Sequence, residues 1–301
     1  MNDTHQEYDN KKKAAPSANM NPPAYITIGA FLGIVALVHV IYQSLVRPLA
    51  EAAIVAQGSV ATTNLWVIFK DFEQQASVSI GLFCAFLIIY KYQRIVFKEE
   101  HMFTMDYLAG FGQNKPYKTN EPELKADDTT GEGEALKTVE DLEPIENQTF
   151  DVSAALAELE ESRHSENSSM ATWINCLRRY KNTQNVQHAS QAISDSVETL
   201  AAQLESGNSM IRYFIWAIPS IGFIGTVRGI GSALARAEEA VAGDISGMVD
   251  KLGVAFNSTL VSLLISIVLM YLLHVLNNRQ DEMVINTRKN CERHLLTRLH
   301  D

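Results

Sequence analysis

The hydrophobic residues of this chain are concentrated in four long runs that polar segments separate. The runs cover residues 25–46, 76–90, 213–234 and 252–276. The second run is the shortest, but it extends to Phe97 when the charged ends of Lys91 and Arg94 turn toward the interface. A helix of about 20 apolar residues is long enough to cross a bilayer. The alternative is that the runs are buried helices of a soluble protein, but such helices rarely extend so far without a charge. The pattern therefore predicts an all-α membrane protein with four transmembrane helices.

Helical spacing of apolar residues continues beyond the third and fourth runs. The residues that follow this spacing are Ala189, Ile193, Val197, Leu200, Leu204, Val284, Cys291, Leu295 and Leu299. We expect two continuous helices of about 50 residues, each roughly 75 Å long, that project into the cytoplasm. Because glycine and asparagine often end helices, hinges at residues 206–208 and 277–278 are the alternative.

The polar segments divide the chain into regions. Residues 1–23 are expected to form a disordered cytoplasmic terminus, and residues 24–97 a transmembrane hairpin with a short connection at 47–72. A cytoplasmic region follows at 98–187 and includes an acidic, mobile insertion at about 113–150. Residues 188–276 contain the third and fourth spans with their cytoplasmic extension, and residues 277–301 form a cytoplasmic helix.

The acidity of the chain belongs to one polar segment. The net charge is −10, but residues 121–166 hold 15 acidic residues against three basic ones, which leaves the remainder at +2. This charge does not favour nucleic-acid binding, so the expected contacts are with protein and membrane lipid. Lysine and arginine gather beside the runs on one side of the membrane, which predicts that both termini are cytoplasmic.

The third run combines glycines with a proline. Gly222, Gly225 and Gly229 recur at three- and four-residue spacing, which places them on one helix face. Small residues let membrane helices approach closely. This face and Pro219 are therefore predicted to serve helix packing.

The fourth run carries a stripe of small and hydroxyl residues, Ala255, Thr259, Ser262 and Ser266. Thr226 lies about 12 Å from the end of the third run and Thr259 about 10 Å from the start of the fourth. Antiparallel neighbours would place both hydroxyls on one level, where they line a polar path or bond a partner's side chain. Hydroxyls that only bond their own helix are the alternative. We predict an ion pathway of Thr226, Thr259, Ser262 and Ser266.

Neither the third nor the fourth run contains an acidic residue. Proton pathways in membranes commonly use carboxylates, so we expect this chain to lack one of its own and a second protein to supply it. Arg228 has several interpretations: simple snorkelling, pairing with Glu238 or Glu239, contact with a lipid phosphate, or an influence on the admission of ions. His39 is interpreted as neutral and bonded to a neighbouring helix, with a proton relay as the alternative.

The segment Gly222-Phe-Ile-Gly-Thr-Val-Arg-Gly-Ile-Gly231, followed by Gly253-Val-Ala-Phe-Asn-Ser-Thr259, resembles the paired membrane helices of the MotA/TolQ/ExbB proton-channel family. The resemblance covers roughly residues 212–276. It implies a homopentamer around two copies of a single-span partner similar to ExbD, TolR or MotB, whose membrane aspartate carries the proton. It also implies pore-facing roles for Thr226 and Thr259 and a functional role for Pro219. The four spans resemble the flagellar-stator layout, whereas the motif resembles the TolQ/ExbB type, and Arg228 replaces a usually apolar or aromatic residue.

These observations predict an ion-conducting stator or motor subunit of the bacterial inner membrane. It would use proton or sodium motive force for mechanical work at the envelope, with residues 188–276 as its proton-channel domain. A non-conducting membrane scaffold and a self-sufficient small transporter are the alternatives. The sequence contains no recognisable nucleotide-binding loop, nucleophile constellation or metal cluster, so we expect no enzyme activity, metal or cofactor.

Overall fold

The computed structural model describes residues 21–57, 64–100, 105–108, 151–162, 165 and 167–300, which are almost entirely helical and contain no strand. Their helices in chain order are α1 (Ala24–Ile41), α2 (Arg47–Gln57), α3 (Leu65–Phe69), α4 (Phe72–Arg94), α5 (Val152–Glu161), α6 (Ser168–Thr183), α7 (Val186–Leu234), α8 (Ala237–Val241), α9 (Ser246–Asn290) and α10 (Thr297–His300). The π-helical segments Tyr42–Val46, Ile95–Glu99 and Cys291–Leu296 continue α1, α4 and α9.

Four helical stretches are long and apolar enough to cross a membrane. They are Ala24–Ala56, Phe72–Phe97, Val186–Leu234 and Ser246–Leu299. The all-α class and the four candidate spans are confirmed, and the chain is a multi-pass membrane protein. The predicted acidic insertion at about 113–150 and nearly all of the predicted disordered terminus, residues 1–20, lie outside the described residues.

Helices α7 and α9 are antiparallel neighbours. The connection between them contains α8 and then Gly243, whose φ of 106° favours glycine because other residues would be strained there. We call the end of the bundle at residues 235–245 the loop end. The opposite end, where α7 and α9 continue beyond their apolar runs, is the extended end.

The first two spans differ from the predicted boundaries. The first helix does not end at residue 46 but continues into α2. Its turn widens to a π-helix just before Pro48, which has no N–H to donate to the preceding turn. The second helix begins at Phe72 rather than at residue 76, because its polar first turns are buried in the bundle. These buried residues are Glu73, Gln74, Gln75, Ser77 and Ser79.

The two long helices are continuous, as predicted. Helix α7 has 49 residues and α9 has 45, so the alternative of hinges at 206–208 and 277–278 is wrong. Side chains at these two places join helices instead. Asn208 of α7 donates from Nδ2 to Asn277 Oδ1 at 3.0 Å and to Gln280 Oε1 at 2.6 Å, both on α9.

A buried lysine completes this polar junction. Lys91 of α4 donates from Nζ to the carbonyl oxygen of Gly207 at 2.6 Å and to Asn208 Oδ1 at 2.9 Å. These acceptors on α7 replace the water that the buried ammonium loses. The junction therefore fastens α4, α7 and α9 together where the extended end begins.

The extended end has a hydrophobic core of its own. The predicted stripes of α7 and α9 meet α5 and α6 there, and the buried residues include Ala189, Ile193, Val197, Cys291, Leu295 and Leu299. Trp173 of α6 is fully buried among them. Its ring packs edge to face against that of Tyr107, with the ring centroids 5.0 Å apart. Burial raises the pKa of the Cys176 thiol to about 12, so this thiol stays protonated and packs as a small apolar group.

Candidate functional site

The glycine face of α7 is the surface against which α9 packs. Gly222, Gly225 and Gly229 are buried. A methyl group added at Gly222 or Gly225 would clash with the side chain of Ser262 or Ser258, respectively. One added at Gly229 would lie 2.5 Å from the methyl group of Ala255. The glycines thus allow the close helix approach that the sequence predicts.

Thr226 and Thr259 meet at this close contact. Their Oγ1 atoms are hydrogen-bonded to each other. Thr226 Oγ1 also lies 3.1 Å from the carbonyl oxygen of Ala255 and 3.3 Å from that of Gly222, and Thr259 Oγ1 lies 3.4 Å from the Gly222 oxygen. Both threonines are half-buried, so one edge of the pair faces away from the helix contact. The predicted level arrangement of the two hydroxyls is therefore present.

Ser262 and Ser266 lie deeper in the helix interface than the threonines. Ser262 is fully buried, and its Oγ lies 3.2 Å from Ser77 Oγ of α4 while it donates to the carbonyl of Ser258 at 2.8 Å. Ser266 is 2% exposed and donates to the carbonyl of Ile215 on α7 at 3.1 Å. Their hydroxyls are thus engaged within the chain, and their predicted part in the ion pathway stays a prediction.

The bond from Ser266 compensates for Pro219. Pro219 lies inside α7 and has no N–H, so it cannot donate to the carbonyl four residues earlier, that of Ile215. Ser266 donates to this same carbonyl from the neighbouring helix. In a membrane, a freed carbonyl needs such a replacement donor. The proline and the serine therefore act as a pair, although they lie on different helices.

We expect Ser266→Ala to destabilise the protein by about 0.6–1.7 kcal/mol, the range of hydrogen bonds between membrane helices. In a Pro219→Ala background the new N–H bonds the Ile215 carbonyl, so Ser266→Ala should then cost much less. Thermal denaturation in detergent of the wild type, the two single variants and the double variant measures this difference. Equal losses in both backgrounds would contradict the pairing.

Arg228 pairs with a carboxylate that the sequence analysis did not consider. Its Nε lies 2.8 Å from Glu73 Oε1, and its Nη2 donates to Glu73 Oε2 at 2.8 Å. Of the interpretations open for Arg228, the pairing with Glu238 or Glu239 is not the one that the structure shows, and Glu239 instead meets Arg236 at 3.3 Å. The contact between Arg228 and Glu73 is a two-pronged ion pair between α7 and α4.

The expectation that the chain lacks a membrane carboxylate is also corrected. Glu73 belongs to the candidate span Phe72–Phe97, and its side chain is only 7% exposed. A methyl group added at Gly225, the residue before Thr226, would lie 3.1 Å from Glu73 Cγ. The carboxylate is therefore level with the threonine pair. Glu73 lies four residues before Ser77, on the same face of α4, but it precedes the apolar run that begins at residue 76, so hydropathy alone does not assign it to the span.

One polar residue of α4, Gln75, bonds α1. Gln75 donates from Nε2 to Nδ1 of His39 at 3.0 Å, so the histidine bonds a neighbouring helix, as predicted. Among the described residues, no cluster of three or more His, Cys, Asp or Glu side chains is arranged to hold a metal ion.

Comparison with protein families identifies the region that contains this site. Residues 154–289 match the MotA/TolQ/ExbB proton channel family. This match confirms the resemblance that the motifs of α7 and α9 predicted. The matched region contains α7 and most of α9, and with them the glycine face and the threonine pair. Searches of curated proteins and of solved structures found no match. The MotA/TolQ/ExbB assignment therefore comes from the family comparison together with the helix pair.

Proposed function

We propose that this chain is the channel-forming subunit of a complex that converts proton or sodium motive force into mechanical work at the cell envelope. The observation that carries the proposal is the hydrogen-bonded pair of Thr226 and Thr259 at a close helix contact inside the MotA/TolQ/ExbB region. Hydroxyl groups both donate and accept hydrogen bonds, so the pair suits a path for protons or for partly hydrated cations.

A single-span partner supplies the second part of the pathway. The apolar runs of α7 and α9 contain no Asp or Glu, and Glu73 is already held by Arg228. A mobile carboxylate that binds and releases the ion must therefore come from elsewhere. Consistent with the family resemblance, we assign it to the membrane aspartate of an ExbD-, TolR- or MotB-like dimer, which a pentamer of this chain surrounds.

The proposed orientation follows from the basic residues. Lysine and arginine are concentrated near the extended end, which favours the cytoplasm for that end and for both termini. The loop end then faces outward, and the membrane is the bacterial inner membrane. Residues 188–276 act as the channel domain, and residues 24–97 form the hairpin that flanks it.

A self-sufficient transporter is the second candidate. The ion pair of the buried Glu73 with Arg228 favours it, since charged residues inside membrane segments commonly mark ion or substrate sites. Such a transporter would need no second protein.

One reconstitution separates the two candidates. The chain is purified with its single-span partner, placed in liposomes, and driven by a potassium diffusion potential while an internal dye reports pH. Sodium flux is measured in parallel. The proposal expects ion flux only with the partner present and a loss of that flux when the partner's membrane aspartate becomes asparagine. Equal flux from the chain alone would favour the transporter, and absence of flux in every preparation would contradict both candidates.

A further inference from the structure

We propose that a cavity beside the buried Lys91 binds the phosphate group of one anionic glycerophospholipid, of the phosphatidylglycerol type. The cavity has a volume of about 430 Å³ and lies between the start of α1, the last turns of α4 and the middle of α7. Ligand sites in proteins typically have volumes of about 300–1,000 Å³. Such a lipid site is additional to ion conduction.

Lys91 brings a buried positive charge to this cavity. It is 2% exposed, and its Nζ donates to the carbonyl of Gly207 and to Asn208 Oδ1. Both acceptors are neutral, and no carboxylate of the described residues forms an ion pair with this ammonium. A buried charge is costly unless an opposite charge compensates it, and an ammonium has a third N–H to donate. An anion is therefore the ligand that this group favours.

The ammonium lies at the wall of the cavity. Lys91, Gly207 and Asn21 all line it. A methyl group added at Gly207 would lie 3.4 Å from Lys91 Nζ and 3.5 Å from both the oxygen and the nitrogen of the Asn21 amide. The space in front of Gly207 is therefore bounded by an ammonium and an amide, two kinds of group that donate hydrogen bonds to phosphate oxygens.

The start of α1 adds to the attraction for an anion. Pro22, Pro23 and Ala24 line the cavity. The first turn of α1 contains no acidic residue, and its N-cap has no capping side-chain bond. The partial positive charge at the N-terminus of a helix favours negative groups nearby. This contribution supports the charge of Lys91 and does not replace it.

The apolar lining favours a lipid over a soluble anion. It consists of Ile28, Leu87, Met210 and Ile211. Leu87 and Ile211 are buried, whereas Ile28 is 59% and Met210 47% exposed, so part of this lining faces the surroundings of the bundle. A phospholipid matches both the ammonium and these apolar side chains, because it carries a phosphate next to acyl chains. A soluble anion matches the ammonium alone.

The cavity lies at the level of lipid headgroups. Lys91 directly follows the second apolar run, and Gly207 lies six residues before the third. Asn277, which belongs to the same polar junction, directly follows the fourth run, and the first run begins at Tyr25, directly after the start of α1. All four runs begin or end at this level, where the hydrocarbon core meets the headgroups. In the orientation proposed above, the site belongs to the cytoplasmic leaflet.

The charge of the headgroup distinguishes one phospholipid from another. Phosphatidylglycerol brings one negative charge, which neutralises that of Lys91. Phosphatidylethanolamine also has a phosphate, but its own ammonium leaves the sum of the charges positive. We therefore expect the cavity to prefer phosphatidylglycerol, and to bind diacylglycerol, which has no phosphate, most weakly.

A lipid titration tests this preference on the unmodified protein. The alternative is a purely structural junction whose cavity holds only water. Native mass spectrometry of the detergent-solubilised full chain resolves each bound molecule by its mass. Phosphatidylglycerol should bind more tightly than phosphatidylethanolamine, and roughly 10- to 150-fold more tightly than diacylglycerol with the same acyl chains, the effect of one hydrogen bond to a charged group. Inorganic phosphate in large excess should not displace it.

A charge substitution locates the site. Lys91→Gln removes the ammonium, so it should weaken the binding of phosphatidylglycerol roughly 10- to 150-fold and abolish the preference over phosphatidylethanolamine. Arg94→Gln is the matched control, because it removes a positive charge from the next turn of the same helix at a residue that does not line the cavity. The affinity should then stay within about twofold of the wild type.

A second variant keeps Lys91, since this residue also fastens the polar junction. Gly207→Leu adds a side chain that enters the cavity, so it should abolish the preference for phosphatidylglycerol while the ammonium remains. Gly231→Leu is its control. It adds the same side chain to α7 at a position where a methyl group would have no atom of another described helix within 4 Å, and it should leave the preference unchanged.

Four results would overturn the inference. They are equal binding of phosphatidylglycerol and diacylglycerol, equal binding of phosphatidylglycerol and phosphatidylethanolamine, displacement of the lipid by inorganic phosphate, which identifies a soluble anion as the ligand, and an unchanged affinity in Gly207→Leu or in folded Lys91→Gln. Size-exclusion chromatography verifies that each variant is folded. If Lys91→Gln does not fold, Gly207→Leu and the lipid comparison on the wild type decide.

Discussion

The double substitution Thr226→Val and Thr259→Val is expected to reduce the ion flux of the reconstituted complex roughly 10- to 150-fold. A hydrogen bond to a charged group contributes about 1.5–3 kcal/mol, and each 1.36 kcal/mol in a barrier is about tenfold in rate. Valine has nearly the shape of threonine but neither donates nor accepts hydrogen bonds. The flux therefore measures what the two hydroxyls do for the passing ion.

The double change is preferable to either single change because it leaves no unpaired hydroxyl. Replacing both partners of a buried hydrogen bond by apolar groups of the same shape is nearly neutral for stability. Thr27→Val is the control, since the Thr27 hydroxyl lies only near the carbonyls of Pro22 and Pro23 at the start of its own helix. Normal flux from an assembled double variant would remove the threonine pair from the pathway.

The spans, the long helices and their contact faces were predictable because they depend on local pattern. Apolar length predicts membrane crossing, and the spacing of three and four residues places Gly222, Gly225 and Gly229 on one face. The level of Thr226 and Thr259 followed from counting residues along two antiparallel helices with a short connection. In each case, the rule needs only residues that are near in sequence.

The partner of Arg228 was not predictable in this way. Glu73 is 155 residues away in sequence and belongs to another helix. A hydropathy pattern assigns the polar first turn of α4 to the loop, because it scores each residue only by the free energy of its transfer from water into the membrane. That cost falls once the carboxylate pairs with an arginine and packs against Gly225, and only the assembled bundle contains those neighbours.

The tendency of glycine and asparagine to end helices also suggested a hinge at residues 206–208, which the structure does not contain. Gly207 and Asn208 are residues that often end helices, yet both lie inside α7. The Asn208 amide bonds Asn277 and Gln280, and the Gly207 carbonyl accepts from Lys91. Tertiary hydrogen bonds thus outweigh a helix-propensity cost of about 1 kcal/mol for a glycine.

Gly225→Val is expected to prevent the native packing of the membrane helices. A methyl group added at this position would clash with the side chain of Ser258 on α9. It would also lie 3.1 Å from the Cγ atom of Glu73 on α4. Overpacking of a close-packed contact costs about 1–3 kcal/mol, and the whole stability of a domain is about 5–15 kcal/mol. The substitution also pushes against the carboxylate that holds Arg228, so both the stability and the flux should fall.

Gly231→Val provides the matched control for this prediction. It lies six residues further along the same helix and carries the same intrinsic change in helix propensity, but a methyl group added there would have no atom of another described helix within 4 Å. Heating followed by size-exclusion chromatography in detergent measures the folded fraction of each variant. If both valines lower that fraction equally, the loss reflects helix propensity and not a contact between helices. A loss confined to position 225 locates the effect at the three-helix contact beside Thr226.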